Sequence, residues 1–459
     1  MNLENRKSKK ELNELKDNIK KVLFFRVCGT GMGAAACLIK DYGLDVFGTD
    51  KDYFPPMSDY LEQKSIKKVP FDNIDYQEFD LIVVGNVVAK SSQEARDIEE
   101  SGVAFCSFPE LIGEFILKDK IVVGISGTHG KTTTTYMLIQ MLEKLGVKTG
   151  YLLGGVIDDR PSSSLGESDY FVIESDEYDT AYFEKTPKFI HYHINHLVLT
   201  SLEYDHADIY SSLEEIRSVF KELVLKVKGK VVFNENFKAI DFISDENSYP
   251  YGINSSVGPG QIKLKDENVI FELIGEEFRT NVFGEHNILN LSASVVLLKE
   301  LGFNLEEIKR SCTLMKLVKR RQEYLGEING VKYFDDFAHH PTAMNLTIDS
   351  FKKKFPGNLI SIVFEPASST ARSDVFEDDF IDALKKSDRV FIVKPQRKTS
   401  AIGAGNLNIQ KMMTMIEENS TCAFTGEIGD LEKFIKETKE GLVIFMSNGK
   451  LLGIKEKMF

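Results

Sequence analysis

A glycine-rich loop carries the clearest chemical signal, in the sequence Gly124-Ile-Ser-Gly-Thr-His-Gly-Lys-Thr-Thr-Thr134 between a predicted strand and a predicted helix. Glycines let backbone N–H groups surround phosphate oxygens, and the N-terminus of the helix adds a favourable dipole. Lys131 can reach the β- and γ-phosphates of a nucleotide, and the Thr132 hydroxyl can ligate Mg²⁺. Ile125 stands where the usual P-loop has its first glycine, so the sequence predicts a variant P-loop rather than a turn that only caps a helix.

Acidic residues and a histidine follow two other predicted strands. Glu174 opens the segment Glu174-Ser-Asp-Glu-Tyr-Asp179, directly after the strand 170–173. A carboxylate at the carboxyl end of a parallel strand beside a P-loop is well placed to bind Mg²⁺, although four acids in six residues also suit a solvated turn. His206 lies among acids just past the strand 196–199. From residue type and spacing alone, a histidine that contacts the nucleotide and an ordinary core or surface histidine are equally favoured interpretations of His206.

A cluster of histidines offers a different chemistry. The segment His191-Tyr-His-Ile-Asn-His196 resembles the H-x-H-x-D-H metal motif of zinc-dependent hydrolases, with Asn195 in place of the aspartate. His191 and His193 alternate, so they would also share one face of a strand as structural residues. A zinc-dependent hydrolase that uses His191, His193 and His196 is therefore an alternative, which the missing aspartate and the P-loop disfavour.

A second glycine loop, Gly29-Thr-Gly-Met-Gly33, follows the first predicted strand and opens a helix. Its spacing is G-x-G-x-G, and Ala34 stands where the dinucleotide fingerprint would have its third glycine. Asp50 follows the next strand, where an acid could bind a ribose. These residues predict a diphosphate site, with a tight strand-to-helix turn as the alternative.

Two later segments combine polar and charged residues at predicted element ends. In Gly284-Glu-His-Asn-Ile-Leu-Asn290, the histidine and asparagines can cap a helix or contact the edge of a base. Arg320-Arg321 precedes the segment Asp335-Asp-Phe-Ala-His-His-Pro341. Buried charges there would need partners or a ligand, whereas spacing alone favours a set of surface ion pairs.

The elements that position these residues alternate between apolar strands and helices, which predicts an α/β fold with doubly wound parallel sheets. We expect a polar, solvated lead-in at 1–20, a Rossmann-like domain at 21–118, a central P-loop domain at 119–316 and a Rossmann-like C-terminal domain at 317–459. Predicted buried strands of the central domain lie at 170–174, 189–193 and 231–234. Shorter alternating strands within 261–283 predict a small antiparallel sheet.

Composition excludes several classes of function. Among 459 residues, 57 Lys and Arg against 70 Asp and Glu give a net charge of −13, which disfavours nucleic-acid binding through a basic surface. No apolar run approaches the roughly 20 residues that span a bilayer, so we expect no membrane segment. Five scattered cysteines without C-x-x-C spacing indicate neither a disulfide framework nor a zinc site. The cysteine pattern, and a polar N-terminal segment that is unlike a secretory signal, lead us to expect a cytoplasmic protein.

Together the motifs resemble the Mur ligase family, ATP-dependent amide-forming enzymes of peptidoglycan assembly, across residues 21–459. The P-loop GTHGKTTT resembles the muramate-specific branch of that family. The L-alanine-adding enzymes of this branch usually have Asp-Glu-Ser-Asp where this chain has Asp176-Glu-Tyr-Asp179, a difference that favours the enzyme that adds a tripeptide. Further segments similar to the tripeptide enzyme are Tyr53–Ser58, Asp176–Phe183, Lys188–Tyr192, Leu202–Asp208, Asp335–Ala343 and Met446–Gly449.

The resemblance implies a reaction and its cofactors. With ATP and Mg²⁺, the lactyl carboxylate of UDP-N-acetylmuramate becomes an acyl phosphate, which the amine of L-alanyl-γ-D-glutamyl-meso-diaminopimelate then captures in peptidoglycan recycling. An L-alanine ligase on the same scaffold is the close alternative, and a nucleotide-binding regulator without turnover is a further one. The resemblance does not predict the oligomeric state.

The resemblance also implies a role for each matched residue. The phosphates are expected to contact the P-loop residues Gly127, Thr128, His129, Gly130, Lys131, Thr132 and Thr133. Mg²⁺ is expected at Thr132, Glu174 and His206. The remaining ATP contacts are expected from His286, Asn287, Asn290, Arg321 and Asp336. The sugar nucleotide and the peptide are expected at Gly29, Gly31, Gly33, Asp50 and Arg372, with His339 near the muramate carboxylate. The catalytic set is then Lys131, Glu174, His206 and His339.

Several positions depart from the family pattern. Ser201 replaces an asparagine, Gln322 replaces an apolar residue, and Phe337 stands where the alanine-adding branch has tyrosine. Ala367 replaces an arginine in a loop expected to face the peptide, so the third peptide residue stays open. Lys221 lies in the helix that carries a carbamylated lysine in some Mur ligases, a role that this branch generally lacks.

Overall fold

The computed structural model describes residues 2–157, 160–244, 246–253, 255–418 and 421–459. Contacts between residues divide the chain into two compact units. Unit one contains Met1–Leu202, Ser218–Ser256 and Ala293–Cys312. Unit two contains Glu203–Arg217, Val257–Ser292 and Thr313–Phe459. The three domain ranges expected from the sequence therefore stay a prediction.

The first sheet of unit one has five parallel strands. These are β1 (Lys21–Phe25), β2 (Asp45–Thr49), β3 (Lys67–Lys68), β4 (Leu81–Val84) and β5 (Phe105–Ser107), in the order β3-β2-β1-β4-β5. The accompanying helices are α1 (Lys9–Leu15), α2 (Thr30–Tyr42), α3 (Met57–Gln63), α4 (Gln93–Glu100) and α5 (Phe108–Ile112). Every residue of β4 is buried, as expected for a parallel strand that is covered on both faces of its sheet.

The N-terminal segment is folded, which corrects the expectation of a solvated lead-in. Helix α1 begins with a capping box formed by Ser8 and Glu11. The few apolar residues hold the segment against the protein, because Leu12 is fully buried and Ile19 is only 4% exposed. Before α1, the Lys7 N–H donates to the Phe105 carbonyl at 2.8 Å, so the segment also extends the edge of the first sheet.

The second sheet of unit one carries the P-loop. Its elements and the adjoining hairpin are β6 (Ile121–Ser126), α6 (Lys131–Lys144), β7 (Gly150–Leu152), β8 (Ser163–Ser164), β9 (Tyr170–Glu174), β10 (Asp179–Ala181), β11 (Glu184–Pro187), β12 (Ile194–Leu199), α7 (Leu213–Lys226), β13 (Val231–Asn234) and β14 (Ser248–Tyr251). The strand order is β14-β13-β12-β6-β9-β7-β8, parallel except for β7 with β8. Strands β10 and β11 form a separate antiparallel hairpin.

The strands predicted at 170–174 and 231–234 are confirmed, whereas the strand predicted at 189–193 is wrong. Lys188–His191 forms a 3₁₀ turn, and β12 begins only at Ile194. The apolar character of this segment predicted correctly that Phe189 is buried, but it did not predict the backbone conformation. Phe189 is buried from a turn, with its ring centre 5.8 Å from that of Phe220.

A small antiparallel sheet confirms the expectation for residues 261–283. It consists of β15 (Gly260–Lys265), β16 (Asn268–Leu273) and β17 (Glu276–Thr280), which pair in chain order and belong to unit two. Two helices follow, α8 (Glu285–Glu300) and α9 (Leu305–Ser311). Along β16 buried and more exposed side chains alternate, since only one face of this sheet is covered.

The large sheet of unit two has six strands. Its elements are β18 (Glu323–Ile328), β19 (Val331–Asp336), α10 (Pro341–Lys354), β20 (Ile360–Glu365), α11 (Glu377–Leu384), β21 (Arg389–Val393), α12 (Ile409–Glu417), β22 (Cys422–Gly426), α13 (Ile428–Glu437), β23 (Leu442–Ser447) and α14 (Ile454–Met458). The order is β18-β19-β23-β20-β21-β22, and only β18 is antiparallel to its neighbour. Parallel sheets with small antiparallel additions confirm the predicted α/β class. Of the helices that the structure describes, none combines the length and the apolar character that a membrane span requires.

Candidate active site

The P-loop has the strand–loop–helix geometry that the sequence predicts. The loop 127–130 joins β6 to α6, and both of its glycines adopt left-handed backbone conformations, with φ of +130° at Gly127 and +82° at Gly130. A Cβ atom at Gly127 would lie 2.5 Å from the Thr200 hydroxyl oxygen and 2.8 Å from the Ser201 nitrogen. Glycine is therefore required at Gly127 both for its φ angle and for the close approach of the chain.

The end of β12 holds the loop in place. The His129 N–H donates to the Ser201 hydroxyl oxygen at 2.7 Å, and the Thr128 N–H donates to the Ser201 carbonyl at 3.3 Å. The Thr200 hydroxyl donates to the His129 carbonyl. In the sequence, Ser201 is distinguished only as a departure from the family pattern. No local pattern could reveal this contact, because about 70 residues separate its partners.

Lys131 is anchored by carboxylates. Its ammonium donates to the Gly127 carbonyl at 2.6 Å and contacts the Glu177 carboxylate at 2.9 and 3.2 Å. Burial opposes the charged amine, but Glu177 and then Asp176 outweigh this effect and raise the pKa of Lys131 above its usual value. The ammonium thus stays charged at the position from which it can reach a phosphate. Glu177 is only 2% exposed. The sequence did not distinguish this partner of Lys131 from the neighbouring acids.

Glu174 and Thr132 lie together, as predicted. The Thr132 hydroxyl donates to Glu174 Oε1 at 2.9 Å, and the Gly154 N–H donates to Oε2 at 3.0 Å. Burial raises the pKa of Glu174, and the nearby Lys131 opposes this shift. A hydroxyl and a carboxylate are oxygen ligands of the kind that Mg²⁺ prefers, so the donor chemistry of this pair fits the ion.

The three histidines of the zinc alternative do not form one site. His191 lies 3.2 Å from Glu184, and His193 lies 3.1 Å from Glu114. His196 accepts a hydrogen bond from the Lys230 N–H through Nδ1 at 2.9 Å. The 3₁₀ turn interrupts the alternation on which a shared strand face depended. Among the residues that the structure describes, no candidate metal cluster contains all three, so the geometry speaks against this alternative, as the missing aspartate did.

The second glycine loop occupies the end of β1 and the start of α2. Gly29 is the N-cap of α2. A Cβ at Gly33 would lie 2.2 Å from the Met57 sulfur, whereas a Cβ at Gly31 would meet nothing within 4 Å. Packing therefore requires glycine at Gly33 but not at Gly31. Asp50 accepts from the Cys28 N–H at 2.9 Å, which joins the ends of β1 and β2.

Asp50 also has a cationic neighbour that the sequence did not reveal. Arg26 donates to Asp50 at 3.3 Å and to Glu94 at 2.6 Å. Its guanidinium lies 4.8 Å from the ring centre of Phe71. The side chains at this end of the first sheet thus combine two carboxylates with a cation that stacks on an aromatic ring.

A polar cluster in unit two contains two of the residues predicted to contact adenine, His286 and Asn287. Asn287 donates to Gln322 Oε1 at 3.0 Å and to the Phe283 carbonyl at 2.9 Å. The Gln322 amide lies 3.5 Å from His286 Nε2. Burial, and then the charge of Arg321, lower the pKa of His286 to about 4, so its imidazole is neutral near pH 7. Gln322, which replaces an apolar residue of the family pattern, therefore contacts two of the three predicted base-side residues.

The segment after β19 holds a buried carboxylate. Asp336 accepts from the Gln322 N–H at 2.9 Å and from the Ala338 N–H at 2.8 Å. Burial raises the pKa of Asp336, and the charge of Arg321 opposes the shift. The Arg321 guanidinium lies 4.7 Å from the ring centre of Phe337, so the aromatic ring serves here as a stacking surface without a hydroxyl.

His339 and His206 belong to short loops of unit two. His339 Nδ1 lies 2.9 Å from the Phe337 carbonyl oxygen, which fixes the orientation of its ring. His206 has a φ of +54°. Two hydrogen bonds hold its loop, from the Ala207 N–H to the Thr370 hydroxyl at 3.1 Å and from the Ile402 N–H to the Ala207 carbonyl at 2.7 Å.

The remaining predicted residues are placed as follows. Thr133 is buried on α6, and Asn290 is buried on α8. The Arg372 guanidinium donates through Nη1 to the Ala367 carbonyl. Lys221 is exposed on α7. Unit one thus contains the P-loop, Glu174, the second glycine loop and Asp50. Unit two contains His206, His286, Asn287, Asn290, Arg321, Asp336, His339 and Arg372.

The fold and the loop after β6 define a P-loop nucleotide-binding protein of the α/β class. Comparison with known proteins gives the family. The Mur ligase middle domain matches residues 125–298, and the Mur ligase glutamate ligase domain matches residues 320–443.

Two curated relatives and one solved structure extend the similarity over most of the chain. The UDP-N-acetylmuramate–L-alanyl-γ-D-glutamyl-meso-2,6-diaminoheptandioate ligase of Haemophilus influenzae is 30% identical over 96% of this chain and 98% of its own. The UDP-N-acetylmuramate–L-alanine ligase of Streptococcus gordonii is 30% identical over 86% of this chain and 87% of its own. The crystal structure of a murein peptide ligase from Psychrobacter arcticus has a TM-score of 0.72 and 26% identity, covering 96% of this chain and 98% of its own. The chain therefore belongs to the Mur ligase family and is an ATP-dependent, ADP-forming ligase.

Proposed function

We propose that the protein joins the lactyl carboxylate of UDP-N-acetylmuramate to the amine of L-alanyl-γ-D-glutamyl-meso-diaminopimelate, with cleavage of ATP to ADP and phosphate. The observation that carries the proposal is the partly buried set of Lys131, Thr132 and Glu174 after β6 and at the end of β9. It occurs in a chain whose relative over nearly the full length has the name of this ligase. This reaction returns a cell-wall tripeptide to a nucleotide precursor, so we place the protein in peptidoglycan recycling in the cytoplasm.

The first chemical step is phosphoryl transfer. A lactyl carboxylate oxygen attacks the γ-phosphorus of ATP, the bond to the β–γ bridging oxygen breaks, and ADP leaves. Such a transfer depends on in-line positioning and on neutralised charge rather than on covalent help from the protein. We assign both tasks to the P-loop, where Lys131 supplies a permanent positive charge and backbone N–H groups of 127–133 supply donors.

A divalent ion belongs to this proposal. When bound, Mg²⁺ neutralises charge on the phosphates. We propose that Thr132 and Glu174 hold one such ion, since their oxygens already lie 2.9 Å apart and face one another. We assign His206 to a second ion, on the resemblance alone.

The second step forms the amide. The neutral amine of the peptide attacks the carbonyl carbon of the acyl phosphate, the tetrahedral intermediate expels phosphate, and the nitrogen loses a proton. We propose that His339 lies near the lactyl carboxylate and that its ring is oriented by the Phe337 carbonyl.

The remaining contacts are proposed for the substrates. We assign His286, Asn287 and Asn290 to the adenine side of ATP, and Arg321 and Asp336 to further ATP contacts. We assign Gly29, Gly31, Gly33 and Asp50 to the UDP moiety, and Arg372 to the peptide. The open space at Gly31 supports its assignment, because packing does not explain the glycine there.

A second candidate function is the addition of L-alanine instead of the tripeptide. Relatives with that name match 86% of the chain at 29–30% identity, which is the observation in its favour. The two functions share the chemistry at the P-loop and differ only in the amine that attacks.

One assay separates the two candidates. Phosphate release is measured with UDP-N-acetylmuramate and Mg-ATP, with either the tripeptide or L-alanine as the acceptor. We expect a higher kcat/KM with the tripeptide, and a higher value with L-alanine would overturn the proposal. The variant Lys131→Ala should lose at least about 100-fold in turnover. The matched control is Lys148→Ala, an exposed lysine paired with Glu167, which should retain full activity.

A further inference from the structure

Helix α2 is attached to the P-loop sheet by a buried hydrogen bond. The first turn of α2 contains the glycine loop that we assign to the UDP moiety, and the Ala34 carbonyl lies at the same end of the helix. This carbonyl accepts a hydrogen bond from the Ser163 hydroxyl at 2.8 Å. Ser163 belongs to β8, the edge strand of the P-loop sheet, and both residues are buried. The bond therefore joins, inside unit one, the helix of the sugar-nucleotide loop to the sheet of the ATP loop.

A tyrosine of α3 completes this attachment. The Tyr60 hydroxyl oxygen lies 3.3 Å from Ser163 Oγ. Ser163 has one hydroxyl hydrogen, which it donates to Ala34, so Tyr60 is the donor in its contact with Ser163. Burial raises the pKa of Tyr60, so its hydroxyl keeps its proton near pH 7. Helix α3 also contains Met57, which packs against Gly33 of the glycine loop. Both helices beside that loop are thus attached to Ser163.

Strand β8 is also connected to Glu174, the proposed magnesium ligand. It pairs with β7, and just after β7 the Leu153 N–H donates to the Ser162 carbonyl at 2.9 Å. The Ser162 hydroxyl donates to the Gly155 carbonyl at 2.7 Å. Between these two contacts, the Gly154 N–H donates to the Glu174 carboxylate at 3.0 Å. A continuous series of hydrogen bonds therefore runs from the first turn of α2 through β8 to Glu174.

The proposed phosphoryl transfer depends on the distance between the two ends of this series. At one end, the glycine loop of α2 is assigned to the sugar nucleotide whose carboxylate attacks. At the other end, Glu174 is assigned to the Mg²⁺ on the phosphates of ATP. The reacting atoms must lie in line and about 3–3.5 Å apart, and a misplacement of about 1 Å can lower the rate about 100-fold. A fixed link between α2 and β8 supplies this precision.

We propose that Ser163 is a positioning residue for the first chemical step, which holds α2 at the distance from Glu174 that brings the lactyl carboxylate in line with the γ-phosphate. The inference rests on the proposed function. Ser163 acts through the backbone of α2 and through β8 rather than on the reacting atoms. The sequence did not distinguish it, because it lies in a run of three serines, Ser162–Ser164. Since the acceptor amine does not enter this step, the role of Ser163 is the same for the tripeptide and for L-alanine.

Single-turnover kinetics of the full chain test the inference. ADP formation is measured with saturating UDP-N-acetylmuramate, Mg-ATP and the tripeptide. Ser163→Ala should lower the rate of this step by about 10- to 100-fold. The KM for each nucleotide should stay within about twofold of its unaltered value, because the glycine loop and the P-loop keep their own contacts. Ser163→Thr keeps the hydroxyl and should retain most of the rate.

A second variant tests the same link from α3. Tyr60→Phe removes only the hydroxyl that supports Ser163, so it should lower the rate by a smaller factor, about threefold. Adding Tyr60→Phe to Ser163→Ala should lower the rate no further than Ser163→Ala alone, because Tyr60 acts through Ser163.

Ser311→Ala is the matched control for the loss of a buried hydroxyl. The Ser311 hydroxyl is also buried in unit one and also donates to a helix carbonyl, that of Ile308 at 2.7 Å, but it does so within α9. Ser163→Ala and Ser311→Ala should therefore cause similar small decreases in Tm. Only Ser163→Ala should slow ADP formation, a difference that a purely structural role would not produce.

The outcomes separate this inference from the function on which it rests. If the unaltered chain forms no ADP with UDP-N-acetylmuramate, Mg-ATP and either acceptor, the proposed function fails. If it does, but Ser163→Ala keeps a rate within about threefold or instead raises the KM for a nucleotide, only the assignment of Ser163 is overturned. If Ser163→Ala does not fold, Tyr60→Phe decides, and an unaltered rate in that variant overturns the assignment.

Discussion

The contact between the Thr132 hydroxyl and Glu174 is the smallest arrangement on which the proposed chemistry depends. The two oxygens proposed as Mg²⁺ ligands lie 2.9 Å apart, and burial raises the pKa of the Glu174 carboxyl. A raised pKa means that Glu174 takes up a proton at a higher pH than an exposed glutamate would. Only the deprotonated carboxylate is a good magnesium ligand, so under the proposed function we expect protons and Mg²⁺ to compete at this residue.

This competition gives the first prediction. Because the pKa of Glu174 is raised, the Mg²⁺ concentration for half-maximal activity should increase as the pH falls toward that pKa, and this increase should begin at a higher pH than for an exposed glutamate. Glu174→Gln, which keeps the shape but not the charge, should lower kcat by at least about 100-fold and remove this pH dependence. Phosphate release measured over a range of Mg²⁺ concentrations at each pH provides the test.

The matched control is Glu167→Gln, because Glu167 is exposed and its carboxylate pairs with the exposed Lys148. It should leave both kcat and the Mg²⁺ requirement unchanged. A Glu174→Gln variant that shows the normal dependence on Mg²⁺ would contradict the assignment of this residue.

At the scale of elements, the glycines at the start of α2 differ in the reason for their presence. Gly33 allows the close approach of Met57 and of the Val27 carbonyl, which would lie 2.2 and 2.8 Å from an added Cβ. Gly31 lies beside open space and has no φ angle that demands glycine. A glycine without a packing reason at the start of a helix is consistent with close approach of a ligand to the backbone.

The second prediction compares the two glycines. Gly33→Ala should destabilise the protein by about 1–3 kcal/mol because of overpacking, and thermal unfolding should show a lower Tm. Gly31→Ala should leave Tm unchanged or slightly raised, since alanine favours a helix, but should raise KM for UDP-N-acetylmuramate by about tenfold if the diphosphate lies against this backbone. An unchanged KM in a well-folded Gly31→Ala variant would exclude Gly31 from the diphosphate site.

The elements that the sequence predicted are those with local causes. Apolar runs predicted the strands β6, β9 and β13, and the pattern of strand, glycine loop and Lys131 predicted the start of α6. The pairing of Thr132 with Glu174 followed from the rule that parallel strands end at one edge of a sheet.

Features that depend on contacts between residues far apart in the sequence could not be predicted in this way. The 3₁₀ turn at Lys188–His191 is as apolar as a strand, and the contact of Ser201 with the P-loop joins residues far apart in sequence. Helix α1 was missed because most of its residues are polar. The capping box stabilises the start of this helix, and one fully buried side chain, Leu12, packs it against unit one.

At the scale of the whole molecule, unit one contains a charge cluster that connects three parts of the chain. Arg6 lies in the N-terminal segment and donates at 2.9 Å both to Glu110 at α5 and to Glu184 in the β10–β11 hairpin. Burial raises the pKa of Glu110, which is 1% exposed. Burial also opposes the ionisation of Glu184, but contacts with His191 and Arg6 outweigh it and lower the pKa of Glu184 to about 2.

The third prediction concerns the loss of this shared cation. Arg6→Gln leaves two neighbouring carboxylates without their counter-charge, one of them buried, so the variant should be less stable by about 3–5 kcal/mol near pH 7. Removing Arg6 should raise the pKa of Glu110 further. A carboxyl with a raised pKa is neutral below that pKa, so the loss of stability should shrink as the pH falls and grow as it rises.

Thermal unfolding measured between about pH 5 and pH 8 checks both the size and the sign of this effect. Lys10→Gln is the matched control, because Lys10 has the same charge on the same segment but is 88% exposed and lies 3.9 Å from Glu14. It should change Tm by less than about 2 °C, since exposed pairs contribute little. If Arg6→Gln and Lys10→Gln unfold alike at every pH, the N-terminal segment does not depend on this cluster, and the buried Leu12 must hold it in place instead.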